Sequence, residues 1–516
     1  MSKDLVVIEA PGKLRAVYRS FAELRCDVEV VATIGHIYEN SPTFDRLGIA
    51  MVDGELVETE RTPQRLDSFA YLQERLKACR GRMLVATDDD QEGHVIAQDI
   101  AELVGRLRLD RPLLRVKPQA MTASAWKLAL DHAAPIDPAA ALAGTARRIA
   151  DRLIAASLSD VGKGRIVGRV QSALIGLAEQ GRLQTRVVHV QCAAADGGRP
   201  FTGRGTVSPA VWSSAHLTTL PPLDVAAASS EPLQQPFHGG DALLALHDQL
   251  GMSIAEAGEL LQSMYEAGEV SYPRTAARGL RRDGIEAVAM LARSKGIRQF
   301  QSGVLEHSAA VSGESHQGLH LPLGPMIDKL NLGRPLRLCR DMREAAGVVI
   351  ARQTIESGAT VMRERPVLAA LPAWARELDW SRESRAPVFP WRSSDKRAGR
   401  AVELDAALVH TQIQHELGRP STWGSHATRA AASGYLRAEG DLTLHGRIHA
   451  SGLPVVLKDP RTSVAIERVL SDPDLSVYER VSGALKLAMG GDQQAASDLL
   501  QSLSTELAHA TPQFGF

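Results

Sequence analysis

Cysteine is scarce in this chain and never clustered. Four cysteines stand alone, Cys26, Cys79, Cys192 and Cys339, with no CxxC spacing. That pattern argues against a zinc ribbon and a disulfide framework, so no zinc and a reducing compartment are expected. Aromatics are thin as well, at 4% against 44% hydrophobic residues overall; Ala and Leu must fill the core, and helices should dominate. No uninterrupted apolar run approaches the roughly 18 residues of a membrane helix. The opening Lys3-Asp4, followed by a short apolar run, lacks the shape of a signal peptide. These absences predict a soluble cytoplasmic protein with no membrane partner. Net charge is lacking too: 59 basic and 60 acidic side chains leave −1. Any nucleic-acid surface must therefore be local. Candidate runs are Ala146-Arg147-Arg148, Lys163-Gly164-Arg165 and Arg278 to Arg282. Arg147, Arg148, Arg152, Lys163, Arg165 and Arg169 form one basic strip, opposed within it only by Asp151 and Asp160.

The chain has 516 residues, too many for one ordinary core, and three or four domains are expected. Up to about residue 133 it alternates strand and helix signals. Leu5-Val6-Val7-Ile8 and Met83-Leu84-Val85-Ala86 read as buried parallel strands, Leu66 to Lys77 as a helix between them, and Val95, Ile96, Ile100, Leu103, Val104 and Leu107 as the apolar face of another helix. This is a βαβ pattern, in which loops at the carboxyl ends of strands carry the chemistry. Residues 134–187 read as helical and Arg-rich, 188–237 as short strands among Gly, Pro, Ser and Thr, and 326–405 as mixed helix and strand. The last hundred residues read as helical. Ser253 and Glu256 form a capping box that opens a helix, with Gly268 as its C-terminal stop.

Two segments carry candidate chemistry. In Gly268-Glu269-Val270-Ser271-Tyr272-Pro273-Arg274-Thr275, an extended backbone puts Tyr272 and Arg274 on one face, so phenol and guanidinium can approach one phosphate together. A phenol with a pKa near ~10 is a poor nucleophile at neutral pH unless cations offset the developing charge. In Thr87-Asp88-Asp89-Asp90-Gln91-Glu92-Gly93, Asp88 and Asp90 follow a strand and Glu92 opens a helix, while Glu9 ends the first strand. Hard carboxylate oxygens in this setting suit Mg²⁺ and phosphate substrates. Taken singly, Tyr-x-Arg is equally compatible with core packing, and the acids with a helix dipole.

Together these motifs resemble the type IA DNA topoisomerases, nearest to the topoisomerase III branch. Val7 to Lys13 is similar to that family's V-E-S-P-x-K, and Thr33-Ile34-Gly35-His36-Ile37 to its G-H-V/I. Ala86 to Gly93 resembles A-T-D-x-D-x-E-G of the Toprim domain. Ala146 to Leu153 with Gly168 to Ser172 resembles A-R-R-x-x-D-R-L…G-R-V-Q-S, Gly268 to Thr275 the active-site segment, and Gly418 to Trp423 G-R-P-S-T-Y. Six motifs in family order cover nearly the whole chain.

The resemblance implies a multidomain α/β plus α fold, a Toprim domain followed by helical and winged-helix-like domains and a β-containing arch, closed into a toroid. The implied partition is 1–133 Toprim; 134–187 with 406–516 a helical single-strand-binding domain; 188–237 with 326–405 the arch; 238–325 the tyrosine domain. It implies an ATP-independent, Mg²⁺-dependent enzyme acting on single-stranded or negatively supercoiled DNA. Tyr272 would take the 5′-phosphate, Lys13 and Arg274 would neutralise it, and Glu9 would exchange a proton with the leaving 3′-oxygen. His316 joins this catalytic set by its place in the family's A-H-E-A-I-R motif. Asp88, Asp90 and Glu92, with Glu9, would hold Mg²⁺. His36, Arg169, Gln171, Ser172, Arg419, Ser421 and Thr422 would line the DNA groove. The chain departs from the pattern at Gln91 and His94 (family Arg and Glu), at Gln317 and His320 (family Glu and Arg), and at Ala276-Ala277 (family Asp-Ser). The alternative is a homologue impaired in catalysis that binds single strands in a structural role.

Overall fold

A computed structural model describes residues 3–509 apart from 42, 45, 161, 163–164, 184, 216–217, 308–315, 385–386, 388 and 392–401. Lys163 and Gly164 of the basic strip and Ser315 before His316 therefore lie outside the described residues. The chain packs as two compact units, Met1–Ala173 with Gly452–Phe516, and Leu174–Ser451. Among the described residues, no helix is long and apolar enough to cross a membrane.

The first unit is built on a five-stranded sheet ordered Val28–Ala32, Asp4–Ile8, Met83–Ala86, Leu113–Arg115, Ala134–Pro135. The first four strands run parallel and the last antiparallel. The continuous apolar runs of the central strands Asp4–Ile8 and Met83–Ala86 are buried on both faces, as parallel strands require. The helices Leu66–Ala78 and Gln91–Arg106 lie where the sequence periodicity predicts them. Leu72, Leu76, Ile96, Ile100 and Leu103 share one core with Leu5, Val7, Met83 and Val85. The chain goes to one side of Asp4–Ile8 first and to the other side later. The strand order thus reverses between Asp4–Ile8 and Met83–Ala86, and a doubly wound sheet opens its crevice at such a point. Glu9 and Asp88 are within two residues of those two strand ends.

In the second unit, strands from two distant stretches of sequence form one antiparallel sheet. Its order is Arg186–Cys192, Phe201–Val207, Asp379–Ser384, Thr360–Pro366, Val225–Pro232. Phe201, Val188, Leu378 and Trp380 fill its core, and the Trp380 indole N–H donates to the Ala375 carbonyl at 2.6 Å. The helix Ile254–Glu266 starts at the expected capping box, with Ser253 and Glu256 bonding each other's backbone N–H. It stops at Gly268, whose φ of 75° is left-handed and suited to glycine.

The basic strip is corrected by the fold. Arg147 pairs with Glu467, Arg148 with Glu58, and Arg169 with both Asp151 (2.6 Å) and Glu467 (3.4 Å). Arg152 donates to the carbonyls of Ser41, Thr43, Arg46 and Leu47. Arg165 faces Asp160 at 3.5 Å. The opposing acids Glu58 and Glu467 stand 90 and 320 residues away in sequence from the arginines they meet, so a count within the strip misses them. Most of this positive charge is tied to carboxylates and carbonyls within the unit.

Trp126 is fully buried, its ring 5.0 Å from that of Phe21, in agreement with a packing role. Trp126→Ala is expected to lower unfolding free energy by about 3–5 kcal/mol. A urea titration showing a loss below about 1 kcal/mol would contradict that role.

Candidate functional site

The acidic loop is held from three directions. Asp90 caps the Gln91–Arg106 helix by accepting from the Gly93 N–H at 2.8 Å. The Thr87 hydroxyl donates to the Gly93 carbonyl at 2.6 Å, and a Cβ on Gly93 would come within 2.0 Å of the Asp88 carbonyl oxygen. Only glycine permits that approach. Below the loop, Arg115 is buried in the strand Leu113–Arg115. Its guanidinium donates to the carbonyls of Thr87 (2.7 Å), Asp88 (2.7 Å) and Val85 (3.1 Å). Sequence reasoning missed Arg115; the available signal was a lone arginine inside an apolar strand.

The side chains are less convergent than their spacing suggests. Lys13 is wholly buried and ion-paired with Asp88. Glu92 turns to His36, with Oε2 2.6 Å from Nε2, and this bond keeps the Glu92 carboxyl below the usual carboxylate range, although partial burial opposes it. Asp89, not singled out from sequence, faces Lys117 at 2.8 Å and His94 at 3.5 Å. Glu9 lies beside the His36 loop, its carbonyl accepting from the Gly35 N–H at 3.2 Å. No three of Glu9, Asp88, Asp90 and Glu92 bring ligand oxygens within 4.8 Å of one another; among the described residues only His247, Glu403 and Asp405 form such a set. Arg169 is buried against Asp151 and Glu467: burial pulls its pKa down, and the two carboxylates outweigh that and hold it up. Gln171 and Ser172 lie in the same helix, Arg169–Glu179, with Ser172 buried.

In the second unit Tyr272 is only 1% exposed. Its ring stacks on His316 with centroids 4.0 Å apart, and meets Tyr265 edge-on at 5.3 Å. Arg274 lies with its guanidinium carbon 5.9 Å from the Tyr272 ring centre and donates to the Gln262 side-chain oxygen at 2.9 Å. The tyrosine segment is pinned on two sides. The Ser271 N–H donates to the His320 carbonyl at 3.0 Å, and the Gly239 N–H to the Thr275 carbonyl at 2.8 Å. At Gly239 a Cβ would sit 2.4 Å from the Pro273 carbonyl oxygen, so the start of the helix Gly239–Leu250 must be glycine for the segment to lie against it. Gln317, in place of the family's acid, accepts from the Arg281 N–H at 2.8 Å and donates to Asp283 at 3.1 Å.

A groove of about 690 Å³ runs beside this segment, lined by Pro273, Arg274, Gln262, Pro420, Ser421 and Arg429 among others. The structure thus brings Arg274 and Ser421 together. Thr422 turns inward, its hydroxyl bonded to the Arg419 carbonyl at 3.2 Å in the turn before the helix Trp423–Ala432. Trp423 is a packing residue: it is buried, with its indole N–H on the Leu417 carbonyl at 3.0 Å.

Residues 4–118 match the Toprim domain. DNA topoisomerase 1 of Campylobacter jejuni is 29% identical over 181 residues, 34% of this chain and 25% of that protein. The plasmid DNA topoisomerase I of Xylella fastidiosa is 27% identical over 302 residues, 52% of this chain and 44% of that protein. The solved structure of full-length topoisomerase I from Thermotoga maritima superposes with a TM-score of 0.57 at 16% identity, covering 98% of this chain and 90% of that one. The chain carries a Toprim domain and shares the fold of that topoisomerase I. It spans about a quarter of the length of the Campylobacter protein and less than half that of the Xylella one. The multidomain α/β fold of a type IA topoisomerase is present across nearly the whole chain.

His94, where the family has an acid, is pushed down to about 4, chiefly by burial and further by Arg115 and Lys117. The folded state therefore favours the neutral ring, whereas the unfolded chain takes up the proton near 6.5. Stability contributed above pH 6.5 is lost as pH falls toward about 4, by up to about 3 kcal/mol. His94→Gln is expected to flatten the stability profile over that window. Parallel pH profiles for the two proteins in urea unfolding would rule this out.

Proposed function

We propose that the chain is an ATP-independent type IA DNA topoisomerase that cuts a single strand through Tyr272, passes DNA through the break and reseals it, relaxing negative supercoils or decatenating DNA. The observation that carries this reading is the groove lined by Arg274 and Ser421 together with Pro273, the residue that follows the buried Tyr272. A phosphate entering there meets a guanidinium fixed by Gln262, and charge-assisted contact of that kind offsets the charge that forms as phenol oxygen bonds to phosphorus. The Tyr272 phenol releases its proton to solvent as its oxygen bonds to the 5′-phosphorus, the P–O3′ bond breaks, and the 3′-oxygen leaves with a proton, which Glu9 supplies on this reading; religation reverses both transfers. His316, stacked on the tyrosine ring, orients the phenol. The groove's mix of apolar and cationic lining suits one strand read through its backbone.

Carboxylate oxygens of Asp88 and Asp90, with Glu92 and Glu9, are the donor type for a hard divalent cation, and the Lys13 ammonium already answers the charge of Asp88. These residues would hold Mg²⁺, which when bound supplies positive charge to the phosphate during religation. The partition into Toprim, single-strand-binding, arch and tyrosine domains belongs to the same proposal, as does a cytoplasmic location.

Tyr272→Phe is expected to abolish the covalent protein–DNA adduct trapped by denaturant while leaving single-strand affinity within about twofold. An adduct of full yield from the variant would show the nucleophile to be elsewhere. Changing Asp88 and Asp90 together to Asn is expected to impair relaxation of negatively supercoiled plasmid far more than DNA binding. Full relaxation by that variant in chelator would remove the metal assignment.

A further inference from the structure

Outside the acidic loop and the tyrosine groove, one buried imidazole has no assigned work. His247 closes the last turn of the helix Gly239–Leu250 and is 2% exposed. Its Nδ1 lies 2.8 Å from the Met252 carbonyl oxygen, which can only accept, so Nδ1 carries a hydrogen and Nε2 is the nitrogen left to ligate, through its lone pair in the neutral ring. Nε2 is buried and has no hydrogen-bond partner. A buried acceptor left unmatched is costly, and native folds rarely tolerate one without a ligand or ion.

What stands opposite it is acidic. His247, Glu403 and Asp405 bring one ligand atom each within 4.8 Å of one another. Asp405 is already oriented: one carboxylate oxygen accepts from the Ile254 N–H at 2.9 Å, the other from the Ala406 N–H at 2.8 Å. Each oxygen keeps a further lone pair. Glu403 precedes the helix Leu404–Gln414 with no capping hydrogen bond from its side chain and is exposed to solvent.

We propose that these three residues form a divalent-metal site for a borderline cation of the Zn²⁺ class. An imidazole whose other nitrogen is fixed on a backbone carbonyl is the usual posture of a metal-ligating histidine, and a hydrogen-bonded carboxylate is its usual companion. One nitrogen donor with two carboxylates matches Zn²⁺ better than Mg²⁺ or Ca²⁺, which prefer oxygen alone. The exposed side at Glu403 leaves room for water as a fourth ligand. Counting cysteines cannot detect such a site.

Its position gives the metal a consequence. The ion joins the end of Gly239–Leu250, the start of Ile254–Glu266 and the start of Leu404–Gln414. The first of these helices begins at Gly239, against which the Tyr272 segment lies, and the second leads into that segment. Occupancy stiffens the frame behind the tyrosine. The site does not depend on the phosphotyrosine reading, since it rests on His247 and its two carboxylates alone.

The test is calorimetric titration of the chelator-stripped full chain with ZnCl₂, in excess MgCl₂ to occupy hard-oxygen sites, followed by the cobalt-substituted spectrum. One ion per chain, without thiolate charge-transfer bands, and a rise in melting temperature on zinc addition are expected. Glu403→Gln, a change at an exposed side chain, should weaken zinc by about tenfold or more, as should His247→Ala. Absence of zinc binding, thiolate bands in the cobalt spectrum, or unchanged affinity in Glu403→Gln would overturn the site. Should His247→Ala fail to fold, the Glu403→Gln result decides.

Discussion

The ion pair between Lys13 and Asp88 sits at the switch point of the parallel sheet, and the arrangement of the first unit turns on it. Both side chains are at most 3% exposed. Removing a buried ammonium and a carboxylate from water carries a penalty of several kcal/mol per ion, repaid only while each keeps the other. Lys13 therefore fixes where the Asp88 carboxylate points, and Arg115 fixes where the backbone beneath it runs. The two cations do different work: one answers the acid, the other ties down the carbonyls of Thr87 and Asp88 in the loop and of Val85 in the strand before it. A metal or phosphate arriving here meets an electrostatic balance already struck, and can bind only by sharing Lys13 with Asp88 or displacing it. On the proposed reading, the loop is where ligand charge is exchanged for protein charge, as reversible phosphoryl transfer demands.

Local signals in the sequence proved legible wherever they depended on neighbours in the chain. The buried strands Asp4–Ile8 and Met83–Ala86, the helix after Gly93, the capping box at Ser253 and the stop at Gly268 all follow from periodicity and backbone chemistry within a few residues. What was illegible depends on long-range pairing. Nothing near Arg147 or Arg169 announces Glu467, and nothing near Arg148 announces Glu58. A basic strip in sequence thus became a set of internal ties. The acidic motif gave the opposite difficulty: its spacing was correctly read as a loop after a strand, but three of its carboxylates turn to separate partners, Lys13, the Gly93 N–H and His36.

The tyrosine segment shows the same division. The approach of Tyr272 and Arg274 is readable in the local sequence, whereas the burial of the phenol is not, and the expected extended backbone is replaced by bends over residues 269–271 and 273–274. Two rings cover the phenol, His316 face to face and Tyr265 edge-on. A side chain only 1% exposed has almost no surface on which to receive a phosphate. On the proposed reading, strand entry requires the ring stack to part, and the bond from Ser271 to His320 couples that parting to the backbone behind His316. Local opening is then part of the reaction coordinate, as gating segments commonly are.

Departures from the family pattern gain a physical sense from these contacts. Where the family carries an acid, His94 is held neutral by burial and by Arg115 and Lys117. A carboxylate there would add a fourth negative charge to Asp88, Asp89 and Asp90 within one loop, and the cations placed around it, Lys13 and Lys117, already answer one acid each. A neutral ring leaves that balance intact. Gln317 likewise replaces an acid with an amide that both accepts from the Arg281 N–H and donates to Asp283, a double role that a carboxylate beside Asp283 would lose to like-charge repulsion. In both places this chain gives up charge for hydrogen bonding and neutrality. The tyrosine and its arginine stand where the resembled motif puts them, so on the proposed reading the divergence lies in how the site is supported.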